Sequence, residues 1–351
     1  VSERYGADLN GIKNRGYEVF RNVIRDTIQK SLEDNKKQNM KLDILMEVYI
    51  DIKMNIVENK EAINDFIDCV IEISDSVNSD NWNGEDVMGI FFNEFNRYKK
   101  KSESGQVFTP DHITSLMYKI LEVNANDKIL DAACGSGAFL VKSMSNMIKE
   151  VGGINTKEAK KIKEHSLFGI EFDREIFALA CANMMIHKDG KTNLEQLDSR
   201  DKEASEWIKS KGITKVLMNP PFERKYGCKK IVENVLNSVP SGIKCAFIMP
   251  EKKMEKDKMG KLLEKHHLEA IIKLPEKLFD AGVTTSIYVF ETGKKQVGEI
   301  YGCYIEDDGL ERVKNQGRQD IKDKWMELEN YWVDSIRKRN DTKYGTSQWI
   351  D

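Results

Sequence analysis

The chain has 351 residues, a formal net charge of −3 and 32% charged residues. It holds no run of about 18 apolar residues and no basic-plus-apolar leader, which argues against a membrane span or secretory signal and for a soluble, cytoplasmic protein. The charge balance also argues against a protein that grips duplex nucleic acid unaided, since such proteins usually show a basic surface.

The chain opens at Val1 rather than Met, which fits a processed, cloned or excised piece. Six cysteines, at 69, 134, 181, 228, 245 and 303, form no Cys-x-x-Cys pair, so neither zinc nor a disulfide framework is expected. Cys134 reads as a small buried residue. The adjacent His266 and His267 have poor spacing for a helical metal site and read as solvated.

Residues 1–103 read as a helical domain. Ile44, Leu45, Val48 and Ile52 recur at helical spacing, as do Ile63, Phe66, Ile67, Val70 and Ile71. Asn81-Trp82-Asn83-Gly84 breaks the pattern before Val87, Ile90, Phe91 and Phe95 resume it, and Lys99 to Gly105 forms a polar boundary. From 128 onward, strands expected near 128–132, 166–171, 193–197, 215–218, 245–249, 269–274 and 286–291 alternate with helices. That alternation predicts an α/β domain over 104–310, with a mostly parallel sheet covered by helices. Its ligand crevice should lie at the carboxyl ends of the first and fourth strands, where chain order reverses. Residues 311–351 read as a polar, partly helical tail, with an amphipathic stretch around Trp325, Leu328 and Trp332.

Three motifs carry chemistry. Residues 129–140 run from a short buried strand, through Asp131-Ala-Ala-Cys-Gly-Ser-Gly137, into an apolar helix start. Gly135 and Gly137 permit positive φ and let a ligand approach the backbone. The N–H groups of the helix at about 138–150 suit a carboxylate, and Asp131 suits an ammonium. Leu140 replaces the third glycine of the dinucleotide fingerprint, which argues against NAD and leaves other nucleoside cofactors. Next, the run Ser166 to Asp173 reads as a second strand ending in two acids, Glu171 and Asp173, and an acid at that place binds ribose hydroxyls. Glu171 is the choice, with Asp173 as the alternative or as the cap of the following helix.

The fourth strand, Val216-Leu217-Met218, ends in Asn219-Pro220-Pro221-Phe222. Two prolines remove two backbone donors and leave carbonyls outward. The Asn219 oxygen and Pro220 carbonyl suit the two N–H groups of an exocyclic amino group, while Phe222 suits stacking on its ring. The plainer reading is a Pro-Pro turn with Phe222 in the core. Arg224-Lys225 and Lys229-Lys230 follow directly and suit phosphates; the runs at 97–101, 157–163 and 252–261 read as solvated helix faces.

Gly105-Gln-Val-Phe-Thr-Pro110, the 131–140 loop, Gly169-Ile-Glu171 and Asn219-Pro-Pro-Phe222 stand in the order found in amino-group DNA methyltransferases. The chain resembles, more narrowly, the modification (M) subunit of type I restriction–modification systems, strongly over about 105–310. That resemblance implies a Rossmann-like S-adenosylmethionine-dependent methyltransferase sheet behind an N-terminal helical domain. It implies that Phe108, Thr109 and Pro110 line the cofactor pocket, that Asp131, Gly135 and Gly137 surround the methionine moiety, and that Glu171 holds the ribose. Asp198 matches the position that contacts the cofactor's adenine; Leu197 replaces the family's usual glycine before it, so Asp201, or an N-cap role for Asp198, stays open.

Asn219, Pro220, Pro221 and Phe222 would form the catalytic loop for transfer to adenine N6, with no metal. Target acceptors left open are RNA adenine, protein glutamine and cytosine N4, and a non-catalytic scaffold is the alternative from another class. Adenine within duplex DNA must be flipped out, at a cost of a few kcal/mol. No target-recognition segment is evident, so the resemblance implies a specificity (S) subunit held by two M chains, and a restriction (R) subunit for cleavage. Trp325 and Trp332 are candidates for anchoring a partner or for a local core.

Overall fold

The structure is a computed structural model that describes residues 8–34, 60–90, 109–187, 193–222, 227–251, 256–276, 278–279, 283–313 and 317–350. The helical pattern of Ile44 to Ile52, Phe91 and Phe95, the segment Gly105 to Phe108 and the pair Arg224-Lys225 lie outside these residues.

In chain order come helices α1 (Tyr17–Asp34), α2 (Lys60–Val77) and α3 (Asp111–Ile120), then strand β1 (Ile129–Asp131), α4 (Ala138–Glu150), α5 (Lys157–His165), β2 (Leu167–Glu171), α6 (Arg174–Ile186), β3 (Asn193–Gln196), α7 (Lys202–Lys209), β4 (Lys215–Met218), α8 (Cys228–Ser238), β5 (Lys244–Pro250), α9 (Lys256–Leu263), β6 (His267–Lys273), β7 (Thr285–Glu291), β8 (Ile300–Ile305), the hairpin β9 (Glu311–Val313) and β10 (Gly317–Gln319), α10 (Trp325–Lys338) and β11 (Gly345–Ile350). Among the described residues, nine strands form one sheet in the order β11-β8-β6-β7-β5-β4-β1-β2-β3. β1 pairs in parallel with both β2 and β4, and β7 runs antiparallel between β5 and β6. Chain order therefore reverses between β1 and β4, which opens a crevice at their carboxyl ends.

Side-chain alternation along each strand divides the core in two. On β4, Leu217 joins the cluster under α3, α4, α6 and α10, while Val216 and Met218 join the one under α7 and α8. On β5, Ala246 and Ile248 face the first cluster, and Cys245, Phe247 and Met249 the second. Continuous apolar runs in these strands are the result of burial on both faces. In the N-terminal third, α2 buries Ile63 and Ile67 against Ile12, whereas Phe66 and Val70 on the same helix stay exposed.

Two expectations are corrected, and one open alternative, the core role of Trp332, is met. Residues 345–350 are not a tail: β11 pairs antiparallel with β8, from Gly345 opposite Ile305 to Ile350 opposite Ile300. A Cβ on Gly345 would lie 2.0 Å from the Tyr304 carbonyl, so glycine is required for this approach. Trp332 is wholly buried and donates its indole N–H to the Asp307 carbonyl at 3.0 Å, which makes it core rather than a partner anchor. Trp325 packs edge-to-face with His112 on α3. His266 and His267 are buried, not solvated. His266 Nδ1 accepts from the Gly293 N–H at 3.3 Å, and burial holds that imidazole below its usual pKa.

Candidate active site

A cleft of about 160 Å³ lies at the carboxyl ends of β1, β2 and β4. It gathers Thr109, Asp131, Gly135, Glu171, Asp198, Asn219 and Pro221 from well-separated parts of the sequence. Of the other expected residues, Pro110 is the N-cap of α3 and Gly137 the N-cap of α4; Pro220 stands next to the lining, and Phe108 lies outside the described residues.

The loop after β1 is built on left-handed glycines. Gly135 has φ +54° and Gly137 φ +97°, a conformation that costs other residues strain. A Cβ on Gly135 would meet nothing within 4 Å, so this backbone borders open cleft. Cys134 is buried beneath the loop, and burial pushes its thiol well above the usual range, which leaves it unreactive.

The acids differ in environment. Asp131 is 2% exposed and accepts from the Ala133 N–H at 3.1 Å. Burial pushes its carboxyl up to about 8, partly opposed by that hydrogen bond. Glu171 accepts from the Gly135 N–H at 3.0 Å and the Asp173 N–H at 2.9 Å, so it is tied to the glycine loop; burial raises its pKa as well. Asp173 caps α6, accepting from the N–H groups of Glu175 and Ile176, as the capping alternative expects.

Asp198 is gripped by the Arg200 guanidinium, with Nε 2.8 Å from Oδ1, and this hydrogen bonding holds its carboxyl below the usual range. Asp201, not Asp198, is the N-cap residue of α7. The Ser199 hydroxyl donates to the Ala132 carbonyl at 2.5 Å, which joins this turn to the glycine loop.

Asn219 follows β4 and donates from Nδ2 to the Thr109 hydroxyl at 3.0 Å. Its Oδ1 is buried without a partner among the described residues. An unpaired buried amide oxygen is costly, so its retention at the end of a strand is informative. Phe222 is 9% exposed and packs edge-to-face on Phe279 with centroids 5.4 Å apart; in this state it serves the core, as the turn reading expects.

Sequence reasoning missed Phe172, which stands exposed on the cleft wall, and Arg200 beside Asp198. It also missed Asp86, Ser136 and Asn183, which hydrogen-bond to one another behind the glycine loop. The signal for Asp86 was available as an acid between Gly84 and Gly89, immediately before the helical pattern resumes at Val87. Among the described residues no cluster suited to a metal ion is present, and no helix is long and apolar enough to cross a membrane.

The family model described as N-6 DNA Methylase matches residues 83–243. The chain is 32% identical over 256 residues to the type II restriction enzyme and methyltransferase RM.BcgI of Heyndrickxia coagulans, covering 68% of this chain and 39% of that protein. It is 22% identical over 215 residues to the type I restriction enzyme EcoEI methylase subunit of Escherichia coli, covering 54% of this chain and 43% of that one. This chain therefore spans less than half the length of either relative. The solved type I restriction-modification methyltransferase subunit of Streptococcus thermophilus superposes with a TM-score of 0.60 at 16% identity, covering 93% of this chain and 73% of that chain.

Proposed function

We propose that this chain, whose residues 83–243 belong to the N-6 DNA methylase family, transfers the methyl group of S-adenosylmethionine to the 6-amino group of an adenine flipped out of duplex DNA. The observation that carries the reading is the unpartnered Asn219 Oδ1, fixed by Thr109 beside the glycine-loop cleft.

The residues present fit the cofactor. Gly135 borders open space for its backbone-hugging part. Asp131 offers a buried carboxylate to an ammonium, and Glu171, at the end of β2, offers one to ribose hydroxyls. Asp198, kept ionised by Arg200, is an acceptor for the amino group of the cofactor's base. When bound, S-adenosylmethionine supplies an electrophilic methyl group on a sulfonium sulfur.

The chain's own contribution is to prepare the nucleophile. An adenine amino nitrogen is weak because its lone pair is delocalised into the ring. Asn219 Oδ1 and the Pro220 carbonyl, which has no N–H of its own residue competing nearby, accept the two amino hydrogens and favour a nitrogen with its lone pair available. Phe222 turns from Phe279 to the extruded ring and recovers part of the unstacking cost. Neither a strong base nor a metal is needed, because the proton leaves after transfer. Positioning then supplies much of the rate.

The resemblance to modification subunits extends the proposal to partners: a specificity subunit that supplies recognition and a restriction subunit in the full complex. The test is transfer of labelled methyl from S-adenosylmethionine to duplex DNA, RNA and protein acceptors, with and without the specificity partner. Label is expected in duplex DNA, and efficiently only with the partner. Label in RNA or protein alone would overturn the substrate; efficient site-specific labelling by the isolated chain would overturn the subunit reading.

A further inference from the structure

Residues 80–90 lie outside the sheet yet run along α4. Asp80 Oδ1 accepts from the Ile154 N–H at 2.9 Å, the Trp82 carbonyl accepts from the Ser145 hydroxyl at 3.1 Å, and the Asn83 carbonyl accepts from Lys142 Nζ at 2.6 Å. The Trp82 indole stacks on the His187 ring with centroids 4.0 Å apart. Gly84 comes so close that a Cβ there would lie 2.7 Å from the Ser145 Cβ. This segment is thus seated along its length, and its seat places Asp86 behind the cleft.

Asp86 Oδ2 accepts from the Ser136 hydroxyl. Its Oδ1 accepts from Asn183 Nδ2 at 2.7 Å and from the Gly89 N–H at 2.8 Å. Asn183, fully buried on α6, also donates from Nδ2 to the Ser136 carbonyl at 2.9 Å. Both polar ends of Ser136 are therefore held from behind, and Ser136 is the residue between Gly135 and Gly137. A glycine-flanked residue has little intrinsic reason to keep one conformation, because its neighbours lose the most freedom on ordering. A Cβ on Gly89 would fall 2.2 Å from Asp86 Oδ2 and 2.9 Å from Ser136 Oγ, so no side chain fits over this contact.

We infer that Asp86 is a positioning residue for the cofactor: through Ser136 and Asn183 it sets the backbone of the glycine loop, and it couples cofactor binding to the seating of residues 80–90 on α4. The inference rests on the cofactor reading above. Asp86 itself does not line the cleft; its effect passes through the loop. Burial raises the pKa of this carboxyl, and its three hydrogen bonds oppose that rise.

The test is calorimetry of S-adenosylmethionine binding, at a temperature where every variant is folded by circular dichroism. Asp86→Ala and Ser136→Ala should each weaken binding about tenfold or more, the range for hydrogen bonds to charged groups. The double variant should be no weaker than Asp86→Ala within about threefold, because the contact that Ser136→Ala removes is already lost in Asp86→Ala. A core truncation remote from the loop, Leu328→Ala, should lower the melting temperature with cofactor affinity unchanged. If Asp86→Ala does not fold, Ser136→Ala and Gly89→Ala decide, each with the same expected loss. Wild-type binding with the foldable variants within twofold of it overturns the inference alone, as do losses that simply add. Failure of the wild type to bind overturns the cofactor reading and the inference with it.

Discussion

The two halves of the cleft are built differently. On the β1–β2 side, the glycine loop is tied by Glu171 to Gly135, by Ser199 to Ala132 and by Asp86 and Asn183 to Ser136. On the β4 side, among the described residues, Asn219 has one side-chain bond, to Thr109, and an oxygen with none. Phe222 there is parked on Phe279. The contrast teaches that the half proposed for the cofactor is organised in advance, whereas the half proposed for the target keeps its hydrogen-bonding capacity open. A pre-formed pocket reduces the ordering cost of binding. In the proposed reaction, a target that has left its duplex would meet a loop whose acceptor it satisfies.

Substitutions in the two halves should therefore fail in different ways. Gly137→Asp is expected to abolish cofactor binding in calorimetry, since it combines a side chain at φ +97° with a carboxylate at the N-terminus of α4 that opposes the ligand's own. Unchanged affinity would remove the glycine loop from the site. Asn219→Ala should lower single-turnover methyl transfer by about 10²- to 10³-fold, the range for losing one pre-organised hydrogen-bonding group. Its cofactor affinity should stay within about threefold. A variant that binds cofactor poorly but turns over at the normal rate would erase the difference between the two halves.

The smallest effect concerns pH. The Asp131 carboxyl is raised to about 8 in the fold from 3.8, so it holds its proton at pH values where the unfolded chain has lost it. The sign is unfavourable: stability is whole below about pH 4, falls as pH rises from there to about 8, and is level above that. Asp131→Asn should thus raise the melting temperature of the cofactor-free protein at pH 8 and leave it unchanged near pH 4. Binding of an ammonium group requires the ionised carboxylate, so cofactor affinity of the wild type should rise between about pH 6 and 8, with proton release that differs among buffers of different ionisation enthalpy. An affinity flat across that range would detach Asp131 from the ammonium.

Much of this arrangement was legible in the sequence because it is local. Buried strands flanked by glycines, acids or prolines are read directly from residue order, and the seven strands expected between 128 and 291 are all present. What escaped has long sequence separation. Gly345–Ile350 is an edge strand with only one face against the protein, so Thr346, Gln348 and their neighbours read as polar tail until β8 is known to lie alongside. Asp86 and Ser136 are 50 residues apart, and nothing in either local pattern announces the other. His266 and His267 look solvated by composition, yet both are buried, and the Gly293 N–H that meets Nδ1 of the first comes from 27 residues further along the chain.

The most direct test of the central claim is the identity of the methylated nucleoside. Duplex DNA treated with this chain, the proposed specificity partner and S-adenosylmethionine should, after digestion, yield N6-methyladenine by mass spectrometry, and the Asn219→Ala protein should yield almost none. N4-methylcytosine in place of N6-methyladenine, or equal yields from the two proteins, would contradict the account.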